Sequence, residues 1–344
     1  MGLIPDIVSL KEIPGRLAVT AVDTHTMGEP TRVLIGGFGK LQGDTIAARR
    51  DDMAARFDHV RTALMREPRG HNDMFGAVLT EPVSPGADLA VFFMDGGGYL
   101  DMCGHGTIGV ATAALETGIL RRPPAGESLC LETPAGLIQV WAGGEDGREI
   151  TFRNVPAFVE KRGLEIDVPG GGAVKADIAY GGNYFAVIDA AALGFSLSGS
   201  ELSRLCAPGM TLRERLREAC RPVHPIAGPR NVDLVEFHAP AVLSRAHGRN
   251  VVVFGDGQFD RSPCGTGTCA RMALLYDAGL LGLDEPFVHE SIIGTTFTGR
   301  LRGLADVGGR KAVVPEITSR AYITGVQRFV IEADDPLKYG FKIL

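Results

Sequence analysis

Two short stretches carry residue types that can move protons: Cys-Gly-His-Gly-Thr at 103–107 and Cys-Gly-Thr-Gly-Thr at 264–268. In each, a thiol and a glycine turn lead straight into a helix-forming run, "IGVATAA" after the first and "CARMALL" after the second. The pattern puts a cysteine at the N-terminus of a buried helix. Such a helix start presents unpaired N–H groups and the positive end of the dipole, so it favours a thiolate and binds an anion such as a carboxylate. Two of them facing one cleft would hold a carboxylate between two sets of amides, with one sulfur on each face of the neighbouring carbon. That arrangement suits inversion of a stereocentre beside a carboxylate. One thiolate removes the α-proton and the opposite thiol returns a proton to the other face, while the amides stabilise the charge that spreads into the carboxylate.

Cys103 and Cys264 are therefore the candidate catalytic pair. A single copy of the motif would read as a turn with a buried thiol; two copies at equivalent points of a repeated unit reverse that reading. His105, two residues beyond Cys103, can reach the same cleft. Asp260, four residues before Cys264, can bind a substrate ammonium or pair with the neighbouring Arg261. The other cysteines, Cys130, Cys206, Cys220 and Cys269, sit in apolar or amphipathic contexts and read as small buried hydrophobes.

The elements that must position these groups recur as well. Cys103 and Cys264 are offset by 161 residues, and each is followed 15 residues later by a glycine, Gly118 and Gly279, where a helix takes its C′ cap. "LAVFFMDG" (89–96) lies over "NVVVFGDG" (250–257), an apolar strand ending in Asp-Gly in both copies, and "EPRG" (67–70) lies over "GPRN" (228–231). Asp23 and Gly28 precede Val33-Leu34 as Asp177 and Gly182 precede Val187-Ile188; Glu132 and Gly136 match Glu290 and Gly294. The offset drifts from 154 to 161, as loops of changing length produce. The chain is thus a duplicated unit: an N-terminal half over 1–168, a C-terminal half over 169–328 and a tail over 329–344 that packs back on the first half. Each half reads as a sheet wrapped around one central helix, an α+β fold with pseudo-two-fold symmetry and its ligand site at the seam. Peripheral helices are expected at about 44–66, with Ile46, Met53, Phe57, Val60 and Leu64 on one stripe, and from Thr211, where "TLRE" resembles a capping box.

Composition narrows the partners. The 344 residues are 45% hydrophobic and 22% charged, outside the disordered and membrane classes, and the 46 glycines exceed ordinary usage. Net charge is −6 with both signs interleaved, which excludes a nucleic-acid footprint. No Cys/His spacing of a zinc site occurs, so no metal is expected. The opening stretch lacks the basic and apolar regions of a secretory signal, and no apolar run is long enough to span a bilayer; a cytoplasmic protein with free thiols is expected.

"MDGGGYLDMCGHGTIG", "DRSPCGTGT", "VDTHTMGEPTRV", "EPRGHNDMFGA" and "ITSRAYITG" together resemble the proline racemase family, which includes hydroxyproline 2-epimerases and 3-hydroxyproline dehydratases. The resemblance spans nearly the whole chain. It implies the diaminopimelate-epimerase-like two-domain fold, no cofactor, a homodimer and a small-molecule amino acid substrate. Residue by residue, it implies Cys103 and Cys264 as the acid/base pair, Gly104, His105, Gly265 and Thr266 on the carboxylate side, and Asp260 with His105 at the ring nitrogen. Phe75 and Phe254 match aromatic positions of the racemase branch, and Leu234 lines the same apolar pocket, which favours proline over 4-hydroxyproline. The dehydratase branch usually carries threonine where Cys264 stands. A 4-hydroxyproline 2-epimerase, a 3-hydroxyproline dehydratase, a non-catalytic amino-acid-binding protein and a thiol redox protein are the alternatives. Asp101 stands where the family often has asparagine, and a carboxylate facing Cys103 would oppose its thiolate.

Overall fold

The computed structural model describes residues 14–168 and 172–343. Four helices carry the functional argument: α1 (Ile46–Met65), α2 (Gly104–Glu116), α3 (Leu202–Ala219) and α4 (Gly265–Asp277). Helices α2 and α4 each have 13 residues and start directly after Cys103 and Cys264. Gly118 and Gly279 follow their C-caps with φ of +77° and +70°, the left-handed turn that glycine adopts without strain. Every residue of α2 from Gly104 to Ala114 is buried, as expected of a helix that is apolar nearly all round.

The sheet explains how two such helices meet. Hydrogen bonding runs unbroken from Ala321–Ile331 through Leu17–Thr26, Glu29–Gly36, Phe75–Thr80, Leu89–Asp95, Leu129–Thr133, Gly136–Gly143 and Glu149–Arg153. It then crosses to Arg310–Ser319 and continues through Thr296–Val307, Phe287–Ser291, Gly248–Phe254, Leu234–Ala239, Tyr184–Asp189, Gly172–Tyr180 and Phe158–Val168. Read outward from that crossing, both arms show the same order of antiparallel and parallel pairs. This is the diaminopimelate-epimerase-like α+β fold with its pseudo-two-fold axis between Glu149–Arg153 and Arg310–Ser319. The duplication extends to side chains. Glu132 Oε2 accepts the amides of Val83 and Ser84 at 2.7 and 3.0 Å, and Glu290 Oε2 accepts those of Val242 and Leu243 at 2.7 and 2.9 Å.

The outermost strands trade places. Phe158–Val168 joins the second half's sheet, and Ala321–Ile331 joins the first half's. Beyond it, Arg69 pairs with Asp335 at 3.0 Å and Phe341 N–H donates to Glu67 O. The expected boundary at 168/169 adjoins residues 169–171, which lie outside the described residues.

Helix α1 starts where Thr45 accepts the Ala48 amide, and its buried stripe includes Ile46, Met53, Val60 and Leu64. Phe57 is half-buried and departs from helical geometry at φ −128°, ψ 17°. The helix expected from Thr211 begins nine residues earlier, at Leu202, so "TLRE" is helix interior and not a cap. The start signal lies upstream: the Glu201 carboxylate accepts the Ser198 amide at 3.0 Å in a capping box, and the helix then runs on through Pro208.

Candidate active site

The starts of α2 and α4 abut. A Cβ placed on Gly104 would lie 2.4 Å from Gly265 Cα, and one on Gly265 would lie 2.6 Å from Gly104 Cα. Only glycine at both positions allows two backbones to come this close. Phe152, from the strand at the pseudo-two-fold seam, floors both glycines. The positive ends of two buried helices therefore converge on one point, flanked by Cys103 and Cys264, which are 6% and 8% exposed.

Around Cys103, Gly106 N–H donates to Sγ at 3.3 Å and His105 Nδ1 lies 3.2 Å from it. His105 is braced by Phe75, edge-on at 4.5 Å, and its carbonyl accepts Thr26 Oγ1 at 2.8 Å. Asp260, from the other half, places Oδ2 3.7 Å from His105 Nδ1, while Ser262 N–H and Oγ–H hold its Oδ1 at 2.8 and 2.7 Å. Around Cys264, Thr266 Oγ1 lies 3.8 Å from Sγ, and Ser262 Oγ accepts the Cys264 amide at 3.1 Å. Cys264 has φ +57°, a conformation that costs a non-glycine residue about 1–3 kcal/mol; Cys103 has an ordinary extended φ of −145°. Phe75, Leu234 and Phe254 share one buried apolar cluster with both cysteines, and the rings of Phe75 and Phe254 are 6.2 Å apart. All ten residues singled out in the sequence thus gather at one place.

The thiols differ from expectation in one respect. Burial pushes both well above the ordinary thiol range, with Asp260 and Glu29 adding to the rise at Cys103, and Asp260 and Glu236 at Cys264. The amides of Gly106 and Gly267 act the other way but are outweighed. In this ligand-free form desolvation dominates over the helix dipole. Asp101 turns away from Cys103, pairing with Arg50 of α1 and with Arg230 of the second half at 3.8 Å. Arg261, the alternative partner of Asp260, bonds Asp73 at 2.6 Å instead.

Sequence reasoning missed two arms that reach across the seam. Glu29, in the hairpin of the first half, accepts the Arg261 amide at 2.7 Å; Asn183, in the equivalent hairpin of the second, donates to Met102 O at 2.7 Å. Each half thus grips the loop that carries the other's cysteine. Both follow the aligned glycines Gly28 and Gly182 by one residue, a signal that was legible in the duplication. A cavity of about 830 Å³ lies beside the site, lined by Asn183 and Leu234 but not by the cysteines. Among the described residues no group of three or more His, Cys, Asp or Glu side chains is arranged to hold a metal ion, and no helix is long and apolar enough to cross a membrane.

The family model described as proline racemase matches residues 21–342. The chain belongs to the proline racemase family. Within that family it is 47% identical over 327 residues to the proline racemase of Clostridioides difficile, covering 94% of this chain and 98% of that one. It is 45% identical over 324 residues to the 4-hydroxyproline 2-epimerase of Streptosporangium roseum, covering 93% and 97%. The crystal structure of a hydroxyproline epimerase from Agrobacterium vitis with bound trans-4-hydroxy-L-proline superposes with a TM-score of 0.88 at 33% identity, over 95% of this chain and 96% of that one. A PhzF-family protein of Bacillus anthracis, at TM-score 0.57 and 16% identity, shares the fold alone.

Proposed function

We propose that this protein racemises free proline by passing the α-proton between two thiols, with Cys103 and Cys264 exchanging the roles of base and acid according to direction. The observation that carries the reading is the abutment of two cysteine-bearing helix starts at Gly104 and Gly265. The substrate carboxylate would lie against the amides of Gly104, His105, Gly265 and Thr266. Its ring nitrogen would face Asp260 and His105, which lie 3.7 Å apart. One sulfur takes the α-proton as the other gives its own, so each turnover leaves the proton on the opposite cysteine. The helix amides stabilise the carbanion-like state as its charge moves into the carboxylate. A bound ammonium next to the sulfurs offsets the desolvation that keeps them protonated in the ligand-free form.

The side chains facing the ring support proline over its 4-hydroxy derivative, because Phe75, Leu234 and Phe254 offer a hydroxyl no partner. Apolar pockets reject an added hydroxyl by only about a hundredfold. The hydroxyproline epimerases among the relatives therefore make 4-hydroxyproline 2-epimerisation the second activity to expect. The reaction as drawn needs no cofactor, the family resemblance supports a homodimer, and the six free thiols fit a reducing, cytoplasmic setting. The substrate panel is proline, trans-4-hydroxy-L-proline and trans-3-hydroxy-L-proline in deuterium oxide, followed by proton NMR. Proline is expected to lose its α-proton signal fastest as the D-isomer forms. Faster turnover of 4-hydroxyproline would move the protein to the epimerase branch, water loss from 3-hydroxyproline would make it a lyase, and exchange with none would overturn the reading.

A further inference from the structure

Glu236 is a buried acid that the proposed reaction does not use. It is fully buried, and neither carboxyl oxygen has a hydrogen-bond partner. Asn250, its polar neighbour on the adjacent strand, spends Nδ2 on the Pro263 carbonyl at 2.9 Å and is too poorly aligned for a formed bond to the carboxyl, although its nearness lowers the carboxyl pKa against the larger rise from burial. The carboxyl lies against the start of α4: a Cβ placed on Gly267 would be 2.5 Å from Glu236 Oε2 and 3.2 Å from Cys264 Sγ. One missing methyl group is all that separates acid and thiol. The charged and titratable groups facing Glu236 are Arg271, Cys264 and Cys269 of α4 and Asp260 of the loop before it. The one cation among them, Arg271, makes no ion pair with it within 4 Å.

A carboxylate without a well-formed donor in a dry site is shifted toward its acid form, because burial penalises the charged state. We propose that Glu236 is a positioning residue for Cys264: a buried acid, uncharged on the acid side of neutrality, whose ionisation suppresses the Cys264 thiolate while leaving Cys103 unaffected. The equivalent position in the first half supports the asymmetry. Glu236 pairs with Val187 where Ala77 pairs with the matching Val33, so behind Cys103 the same place holds a methyl group. Burial raises Glu236 to about 7, inside the range where the protein would work. Ionisation would add a negative charge beside Cys264 and keep its proton in place. The inference rests on the two-thiol reading only for its consequence in turnover, since thiol ionisation is measurable without substrate.

The test is alkylation of each cysteine by iodoacetamide as a function of pH, read by mass spectrometry, in the full-length protein and in Glu236→Gln. Gln keeps the volume and cannot ionise. Above about pH 8 the variant is expected to label Cys264 roughly tenfold faster than the parent, the effect of a one-unit fall in its pKa. Below about pH 6, where the parent's acid is already neutral, the two should label alike. Cys103 should be unchanged throughout. Equal labelling of Cys264 at every pH, or equal acceleration of both cysteines, overturns the proposal; so does a difference independent of pH, which a purely structural role would give. Should the variant fail to fold, the parent decides. A glutamate carboxyl titrating near 7 by carbon-13 NMR, with a break in Cys264 labelling at the same pH, supports the proposal. Cys264 labelling that follows a single thiol titration overturns it.

Discussion

Behind Cys103 the duplicated scaffold places Ala77, Val91, Val110 and Leu131; behind Cys264 it places Glu236, Asn250, Arg271 and His289, with strand register matching Asn250 to Val91 where the overlay of 89–96 on 250–257 has Leu89. The fronts of the two helices share their parts, each with a cysteine, a glycine touching the opposite glycine, and a Gly-Thr step. The backing differs, as do the backbone of the cysteine and the residue after the first glycine, His105 in one and Thr266 in the other. One thiol rests on hydrocarbon with an ordinary backbone; the other rests on a polar cluster with its φ at +57°. The contact of Gly104 with Gly265 constrains the surface each half shows to the other, and it leaves the layer beneath free to diverge. Chemically equivalent thiols need not be electrostatically equivalent.

The symmetric front gives the largest expected effect. In Gly104→Ala the new methyl would meet Gly265 backbone, which no side-chain movement relieves. The helix starts must part, and displacements of this order at reacting groups cost about 10²-fold in kcat/KM. Gly265→Ala should fall equally, within a few-fold, because its methyl meets Gly104 in the mirror arrangement. Steady-state racemisation, with thermal denaturation as a folding control, checks both. Retention of activity in either one would show that the abutment is incidental.

The asymmetric backing gives a smaller effect, read in stability. His289 and His238 are pushed down to about 3 and about 4, in each case chiefly by burial. Both are lowered from the unfolded value near 6.5, so between that value and the folded one the unfolded chain binds more protons. Stability is therefore intact above about pH 6.5 and falls as the pH drops toward 3. At pH 5 the loss from His289 alone is about 2 kcal/mol. Hydrogen exchange should show the strands around α4 losing protection at pH 5 relative to pH 7, while those around α2, backed by Ala77, Val91, Val110 and Leu131, change less. Equal loss in both halves would erase the distinction.

Much of the fold was legible because duplication doubles every signal. The shared Cys-Gly-x-Gly-Thr, the closing glycines Gly118 and Gly279 and the paired Glu132 and Glu290 located both central helices and the strands before them. What stayed hidden depends on partners distant in sequence. Phe158–Val168 and Ala321–Ile331 have ordinary strand patterns, and nothing local says which half's sheet each one joins. Glu236 stands in an alternating strand, "LVEFHA", where a charged residue reads as facing solvent. Its burial follows only from the parallel pairing with Tyr184–Asp189 on one side and α4 against its face. The start of α3 was misread because "TLRE" fits a cap by composition, while the operative capping box, "SGSE", lies before a proline-containing stretch.

The central claim is that the two halves supply one proton-transferring thiol each, on opposite faces of the substrate. The most direct measurement is the position of label after brief conversion of L-proline in deuterium oxide, with each enantiomer analysed separately by mass spectrometry. Two opposed thiols predict deuterium in the D-proline formed from the first turnovers, while the remaining L-proline keeps its original proton. Deuterium appearing equally early in recovered L-proline would mean that one group serves both faces, and would contradict the account.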